Sequence, residues 1–180
     1  MKDLKEKAMR TLTIKILRIK PGEETGKHYS EYTIQEKPGM SALLLLDEIR
    51  ETQDPTIYYE AVCRSSICGS CAIWINGQPK LACKTQIKDL PSKITLDPLP
   101  NFPLIKDLAV DKSKFFAELN QRLEAWIHPT EDFKDWESVM SDELSAKLYD
   151  RERCIECGIC VSACPAGNFT SFMAATGCGH

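Results

Sequence analysis

Four cysteines, Cys63, Cys68, Cys71 and Cys83, stand in the order C-x4-C-x2-C-x11-C. The first three can converge on one inorganic cluster from a single loop. Their spacing is one that holds a 2Fe–2S cluster, with a fourth thiolate arriving from further along the chain. Such a loop must wrap without side-chain obstruction. Gly69 can take a positive φ at no steric cost. Ser65, Ser66 and Ser70 are small enough for backbone N–H groups to point at sulfur, and hydrogen bonds of that kind tune the reduction potential.

The same cysteines have less specific readings: a zinc site, a disulfide pair, or inert buried thiols. Zinc sites commonly show two C-x2-C-like pairs, whereas this group has one together with a C-x4-C. A disulfide framework suits secreted chains, and the N-terminus MKDLKEKAMR lacks the apolar stretch of a signal peptide. The spacing therefore favours an iron–sulfur cluster.

A second group, Cys154, Cys157, Cys160 and Cys164-Pro165, reads C-x2-C-x2-C-x3-C-P. In this run the first three thiolates hold three irons of a 4Fe–4S cluster, and the cysteine before proline belongs to another cluster. Gly158 leaves room for the chain to fold around the cluster, and Pro165 fixes the backbone after the last cysteine. Zinc or purely structural thiols fit this spacing less well. The second half holds only five cysteines, 154, 157, 160, 164 and 178, where a two-cluster domain needs roughly seven or eight. Cys178 is a candidate fourth ligand, but Gly177 and Gly179 flank it, and a displaced or solvent-exposed thiol is an equal reading. Cys178-Gly179-His180 matches half of a Rieske C-x-H pair with no second half. His28 and His128 read as surface or core residues, and Trp74, Trp126 and Trp136 as packing. Arg64, beside Cys63, either tunes the first cluster, pairs with a partner, or is a plain surface arginine.

These cysteines need elements to position them. TLTIKILRI at 11–19 alternates Leu12, Ile14 and Ile16 against polar neighbours, a half-buried strand. A second strand over 29–35 places Tyr32 and Ile34 on one face. Pro38-Gly39 breaks it, and Ser41 caps a helix over about 42–51, with Met40 set to staple it. Ile73, Trp74 and Ile75 run into Asn76-Gly77, a strong hairpin signal, and the returning arm with Leu81 delivers Cys83 back beside the loop. KITLDPL is the last strand. Pro98, Pro100 and Pro103 mark a linker, after which Phe115, Phe116, Leu119, Leu123, Trp126 and Ile127 form a helical stripe ended by Pro129. Ser141 caps a further helix, ELSAKLYD, leading to Cys154.

At 180 residues the chain makes one domain or two small ones. Its 43% hydrophobic content supports a core, and a net charge of −3 gives no reason to expect nucleic acid. No apolar run approaches the ~20 residues that span a bilayer, because LLLL at 43–46 is soon ended by Asp47 and Glu48. Membrane association is thus expected only through a partner.

The run QDPTIYYEAVCRSSICGSCAIWINGQPKLAC resembles the first cluster segment of succinate dehydrogenase and fumarate reductase iron–sulfur subunits. DPLPNFPLIKDLAVD and ERCIECGICVSACP resemble the same family in the same order, although CIECGICVSACP is closer to generic ferredoxin than the CILCACC-type run of many members. The resemblance implies an α+β chain. An N-terminal β-grasp, ferredoxin-like 2Fe–2S domain over 1–108 precedes a helical ferredoxin-like 4Fe–4S domain over 109–180, incomplete relative to the family. By the match, Cys63, Cys68, Cys71 and Cys83 ligate the 2Fe–2S cluster, and Cys154, Cys157 and Cys160 the 4Fe–4S cluster. Cys164 becomes the first ligand of a 3Fe–4S cluster whose other ligands lie in a later Cys-Pro run. The chain ends before such a run, so either it is a truncated form or those ligands come from elsewhere.

The family relays single electrons between the FAD of a flavoprotein subunit and a quinone, while the succinate–fumarate site lies on the partner. The implied partners are that flavoprotein, membrane anchor subunits and quinone. The implied location is a soluble chain held on the cytoplasmic face of the inner membrane through those partners. A free-standing ferredoxin-like carrier, the corresponding subunit of a related quinol- or thiol-linked fumarate reductase, and a non-redox zinc module are the alternatives.

Overall fold

Alternation along the first strand becomes a buried face. In the computed structural model, which describes residues 10–19, 26–123, 141–151 and 153–165, strand β1 spans Thr11–Arg18 and buries Leu12, Ile14 and Ile16 completely. Strand β2, His28–Gln35, runs antiparallel to it, with Leu12 opposite Ile34 and Ile14 opposite Tyr32. The period-2 pattern thus places both apolar sets on one side of the sheet.

Helix α1, Ala42–Thr52, covers that side. The Ser41 hydroxyl accepts from Leu44 N–H at 3.3 Å, satisfying one of the amides a helix start leaves unpaired. Leu43, Leu45, Leu46 and Ile49 are buried in the same core as Leu12, Ile14, Ile16, Ile94 and Leu96. Each such side chain contributes about 1.5–3 kcal/mol on leaving water. Strands β3 (Ala72–Ile75) and β4 (Gln78–Leu81) form the expected hairpin, with Asn76 at φ 50 and Gly77 at φ 77, the two left-handed residues of a type I′ turn. Strand β5, Lys93–Asp97, lies parallel to β1 and antiparallel to β3. The sheet order is β2-β1-β5-β3-β4. A parallel β1/β5 pair demands a long crossover; here the crossover contains α1, the cysteine loop and the hairpin, which is the β-grasp arrangement.

A short hairpin, β6 (Leu104–Lys106) and β7 (Ala109–Val110), straddles position 108. Its turn residue Asp107, at φ 48 and 0% exposed, accepts from the N–H groups of Ile19 and Tyr58, both at 3.0 Å. It also pairs with Arg18 Nε at 3.1 Å. The Pro-rich stretch before this hairpin is anchored rather than free: Leu99 is buried, and Phe102 meets Phe115 edge-on at 5.9 Å.

Helix α2 spans Ser113–Leu123, and Asp111 accepts from Ser113 N–H at its start. Phe115 is buried, but Phe116 is 39% exposed, so the stripe expected to be core splits at this pair. Helix α3, Asp142–Arg151, is capped by the Ser141 hydroxyl as expected, and α4 spans Ile159–Ala163. Among the described residues no helix is long and apolar enough to cross a membrane. The N-terminal tail over 1–9, the side chains of Leu119 and Leu123, and Trp126, Ile127, His128, Pro129, Trp136, Cys178, Gly179 and His180 lie outside the described residues.

Candidate metal centres

The loop from Cys63 to Cys71 is wound around sulfur. Three backbone N–H groups, of Ser65, Ile67 and Cys68, donate to Cys63 Sγ at 3.3, 3.4 and 3.3 Å. Winding this tight needs left-handed backbone at Arg64 (φ 57), Ser66 (φ 64) and Gly69 (φ 70). Only Gly69 does this without cost; Arg64 and Ser66 carry a strain of about 1–2 kcal/mol each. Arg64 is held in place by Asp47 of α1, whose carboxylate receives the guanidinium at 2.6 and 3.3 Å and also accepts from the Tyr59 hydroxyl. Burial opposes ionisation of Asp47, yet the Arg64 and Tyr59 hydrogen bonds hold its carboxyl below the usual range. Of the readings open for Arg64, the structure thus supplies an internal partner.

Two serine hydroxyls complete the sulfur contacts. Val62 N–H donates to Ser70 Oγ at 3.0 Å, which leaves the Ser70 proton free to donate to Cys68 Sγ at 3.1 Å. The Ser70 hydroxyl, followed by the Cys63 amide, lowers the Cys68 thiol to about 6. Ser66 Oγ lies 3.6 Å from Cys83 Sγ. Burial would raise the Cys83 thiol, but the Ser66 hydroxyl and Cys71 bring it below its ordinary value. Cys71 is only 4% exposed, and burial raises it to about 11. The β3–β4 hairpin brings the last cysteine home: Ala72 pairs with Leu81, and Ala82 N–H donates to Cys71 O at 3.0 Å, so Cys83 follows beside the loop.

Cys154, Cys157, Cys160 and Cys164 lie on the loop before α4, on α4 itself and at its end. Gly158, at φ 80, begins the helix, and Cys164 closes it with its N–H on Val161 O. Asn101 Nδ2 donates to the carbonyls of Val161, Ser162 and Cys164 at 3.0, 3.4 and 3.1 Å. Ser162 O and Cys164 O are acceptors of the kind a helix end leaves unpaired, while Val161 O also takes the Cys164 N–H. The Phe102 ring packs on Gly158 so closely that a Cβ there would lie 2.8 Å from it. Burial raises the Cys160 thiol.

The two cysteine loops touch. A Cβ built on Gly69 would lie 2.6 Å from Cys157 Cβ and 2.7 Å from Cys157 Cα. Lys112, just before α2, donates from Nζ to Gly69 O at 3.4 Å and to Cys157 O at 3.1 Å. Burial lowers its pKa, while Glu60 and the thiols Cys157, Cys71 and Cys68 pull the other way. Sequence reasoning did not single out Lys112, Asn101 or Asp47. Nothing local distinguishes them from solvated polar residues, and their partners lie far away along the chain.

Among the described residues no three His, Cys, Asp or Glu side chains gather tightly enough for a single metal ion. The donor set of the first site instead suits a larger group: four thiols, with N–H and O–H donors already aimed at sulfur. The second site offers three thiols on one loop and the helix it enters, which matches three corners of a 4Fe–4S cluster.

Both cysteine groups fall within ranges that match known protein families. A family model for a 2Fe-2S iron-sulfur cluster binding domain matches residues 13–117, and one for a 4Fe-4S binding domain matches residues 148–170. The fumarate reductase iron–sulfur subunit of Wolinella succinogenes is 45% identical over 159 residues, covering 86% of this chain and 66% of that protein. The succinate dehydrogenase iron–sulfur subunit of Coxiella burnetii is 33% identical over 157 residues, with the same coverages. A chain of the Mycobacterium smegmatis Sdh1 complex in the apo form superposes with a TM-score of 0.75 at 26% identity, covering 89% of this chain and 66% of that one. The chain thus spans just under two thirds of the length of these relatives. It belongs to the family of fumarate reductase and succinate dehydrogenase iron–sulfur subunits, with a 2Fe–2S cluster-binding domain ahead of a 4Fe–4S binding domain.

Proposed function

We propose that this chain is the electron-relaying subunit of a succinate dehydrogenase or fumarate reductase complex. It would pass single electrons between the FAD of a flavoprotein partner and a quinone or quinol pool, with the succinate–fumarate site on the partner. The observation that carries the reading is the Cys63–Cys83 site, where backbone and serine donors meet the sulfurs of Cys63, Cys68 and Cys83. Cys63, Cys68, Cys71 and Cys83 would hold a 2Fe–2S cluster, and Cys154, Cys157 and Cys160 a 4Fe–4S cluster. Cys164 or Cys178 would supply its fourth ligand or the first ligand of a 3Fe–4S cluster. Iron–sulfur clusters of these types, when bound, take up and return one electron at a time.

The chain's own residues supply position, burial and access. Asp47 and Arg64 fix the loop, and Ser66 and Ser70 place positive dipoles on two sulfurs. Val62 and Ile67, 77% and 69% exposed, offer apolar surface on the segment that carries exposed Cys68, suited to a docked partner that excludes water. The Gly69–Cys157 contact sets the two loops against each other. We place the chain on the cytoplasmic face of the inner membrane, held there by anchor subunits that carry the quinone site. We read it as two units, 1–108 and 109–180.

Anaerobic purification of the tagged full chain from cells producing its genomic neighbours tests this. We expect a larger FAD protein to accompany it, iron and acid-labile sulfide in the preparation, and a 2Fe–2S spin-resonance signal that appears on adding succinate or a quinol. Iron and sulfide without any flavoprotein would make it a free-standing carrier. Zinc without iron would make it a non-redox module.

A further inference from the structure

We propose that Lys112 is a positioning residue that ties the two cluster loops together and holds a fixed positive charge between them. The inference rests on the reading of Cys63, Cys68, Cys71, Cys83, Cys154, Cys157 and Cys160 as cluster ligands. Its ground is geometric. One ammonium donates to a carbonyl of the first loop, Gly69 O at 3.4 Å, and to a carbonyl of the second, Cys157 O at 3.1 Å. These two residues also approach closely, since a Cβ on Gly69 would lie 2.6 Å from Cys157 Cβ and 2.7 Å from its Cα.

The bond crosses between segments 43 and 45 residues away from Lys112. It therefore exists only when both loops are in place. Ser113 N–H bonded to Asp111, and Asp111 N–H bonded to Pro103 O, hold the segment from which the side chain reaches. Glu60 and Glu156 line the same cleft, so the surroundings are otherwise negative. A cation at this point favours an additional electron on either side of it, because each electron adds one negative charge. Low local polarity strengthens that effect, and Lys112 is half-buried. A neutral residue of similar length would keep the packing and lose the charge.

The test uses the full chain reconstituted anaerobically with iron and sulfide, as wild type, Lys112→Met, Lys112→Gln and Lys112→Arg. The readouts are iron and sulfide content, midpoint potentials by redox titration, and the spin-resonance line broadening between the reduced clusters. We expect Lys112→Met to bind the added electron about tenfold less well at the first cluster, a downward shift of about 59 mV for a one-electron couple. A smaller downward shift is expected at the second. Lys112→Gln, which keeps a donor but not the charge, should show the same drop with broadening retained, and Lys112→Arg should restore the potential.

Should Lys112→Met fail to fold or load, Lys112→Gln decides. Unshifted potentials in a loaded Lys112→Gln or Lys112→Met overturn the inference while the cluster reading stands. Wild type that takes up no iron overturns the cluster reading, and this inference with it.

Discussion

Adding one methyl group at Gly69 should separate the two cysteine loops and leave the sheet intact. The new Cβ would lie 2.6 Å from Cys157 Cβ, 2.7 Å from Cys157 Cα and 3.1 Å from Ile155 O, whereas carbon atoms rest about 3.5–4.0 Å apart. The loops must open by about 1 Å, and the atoms in the way include backbone, which cannot rotate aside. Overpacking of this kind costs about 1–3 kcal/mol. The left-handed φ of 70 adds about 1–2 kcal/mol for alanine.

Opening by that amount also breaks the Lys112 bonds at 3.4 and 3.1 Å. The core around Leu12, Ile14, Ile94 and Leu96 takes in Cys71 of this loop but not Gly69, and its strands β1 and β5 should not feel the opening. Gly77→Ala is the control: its φ is 77, but the added Cβ meets nothing within 4 Å, so it incurs the conformational cost alone. Hydrogen exchange followed by mass spectrometry, with denaturant unfolding in parallel, separates the two. Gly69→Ala should speed exchange over 154–164 by about tenfold or more, corresponding to the 1–3 kcal/mol of overpacking, with β1 and β5 unchanged. Gly77→Ala should leave 154–164 as in wild type. Equal protection of 154–164 in wild type and Gly69→Ala would refute the close approach.

Three further outcomes are expected. In metal-free protein, Ser70→Ala should return the Cys68 thiol from about 6 toward its ordinary range; alkylation of Cys68 at pH 7, fast in wild type because the lowered pKa leaves mostly thiolate, should slow several-fold and recover only as pH rises, and an unchanged pH profile would contradict this. Ser66→Ala keeps the left-handed residue but removes the O–H near Cys83 Sγ; in the reconstituted protein the first cluster's potential should fall, because hydrogen bonds to sulfur favour the reduced form, and an equal potential would remove Ser66 from that role. Asp107→Ala leaves Ile19 N–H and Tyr58 N–H without their buried acceptor and removes one of the two carboxylates paired with Arg18, which keeps Asp54; urea unfolding should show a loss of about 2–6 kcal/mol, from about 1–3 kcal/mol for each unsatisfied N–H, and a loss below about 1 kcal/mol would mean that water or a neighbour replaces the carboxylate.

What the sequence by itself determined was local. The cysteine spacings name the chemistry, because a cluster of given size takes its thiolates from a loop of given length. Alternation at Leu12, Ile14 and Ile16 gives a strand with one buried face, Ser41 gives a helix start, and Asn76-Gly77 gives a hairpin; each signal sits within a few residues of the structure it dictates. The same logic failed at Phe116, where helical spacing names a stripe but not how wide a face finds cover. The tertiary structure alone decided what holds the loops in place. Asp47 reaches Arg64 across 17 residues, Asp107 reaches Ile19 across 88, Asn101 caps α4 from about 60 away, and Lys112 bridges Gly69 to Cys157. Each is a polar residue that reads as solvated surface until folding places its partner against it. Such pairings depend on how the β-grasp sheet, the 104–110 hairpin and the second cysteine loop pack together, and no residue pattern within a short window encodes that.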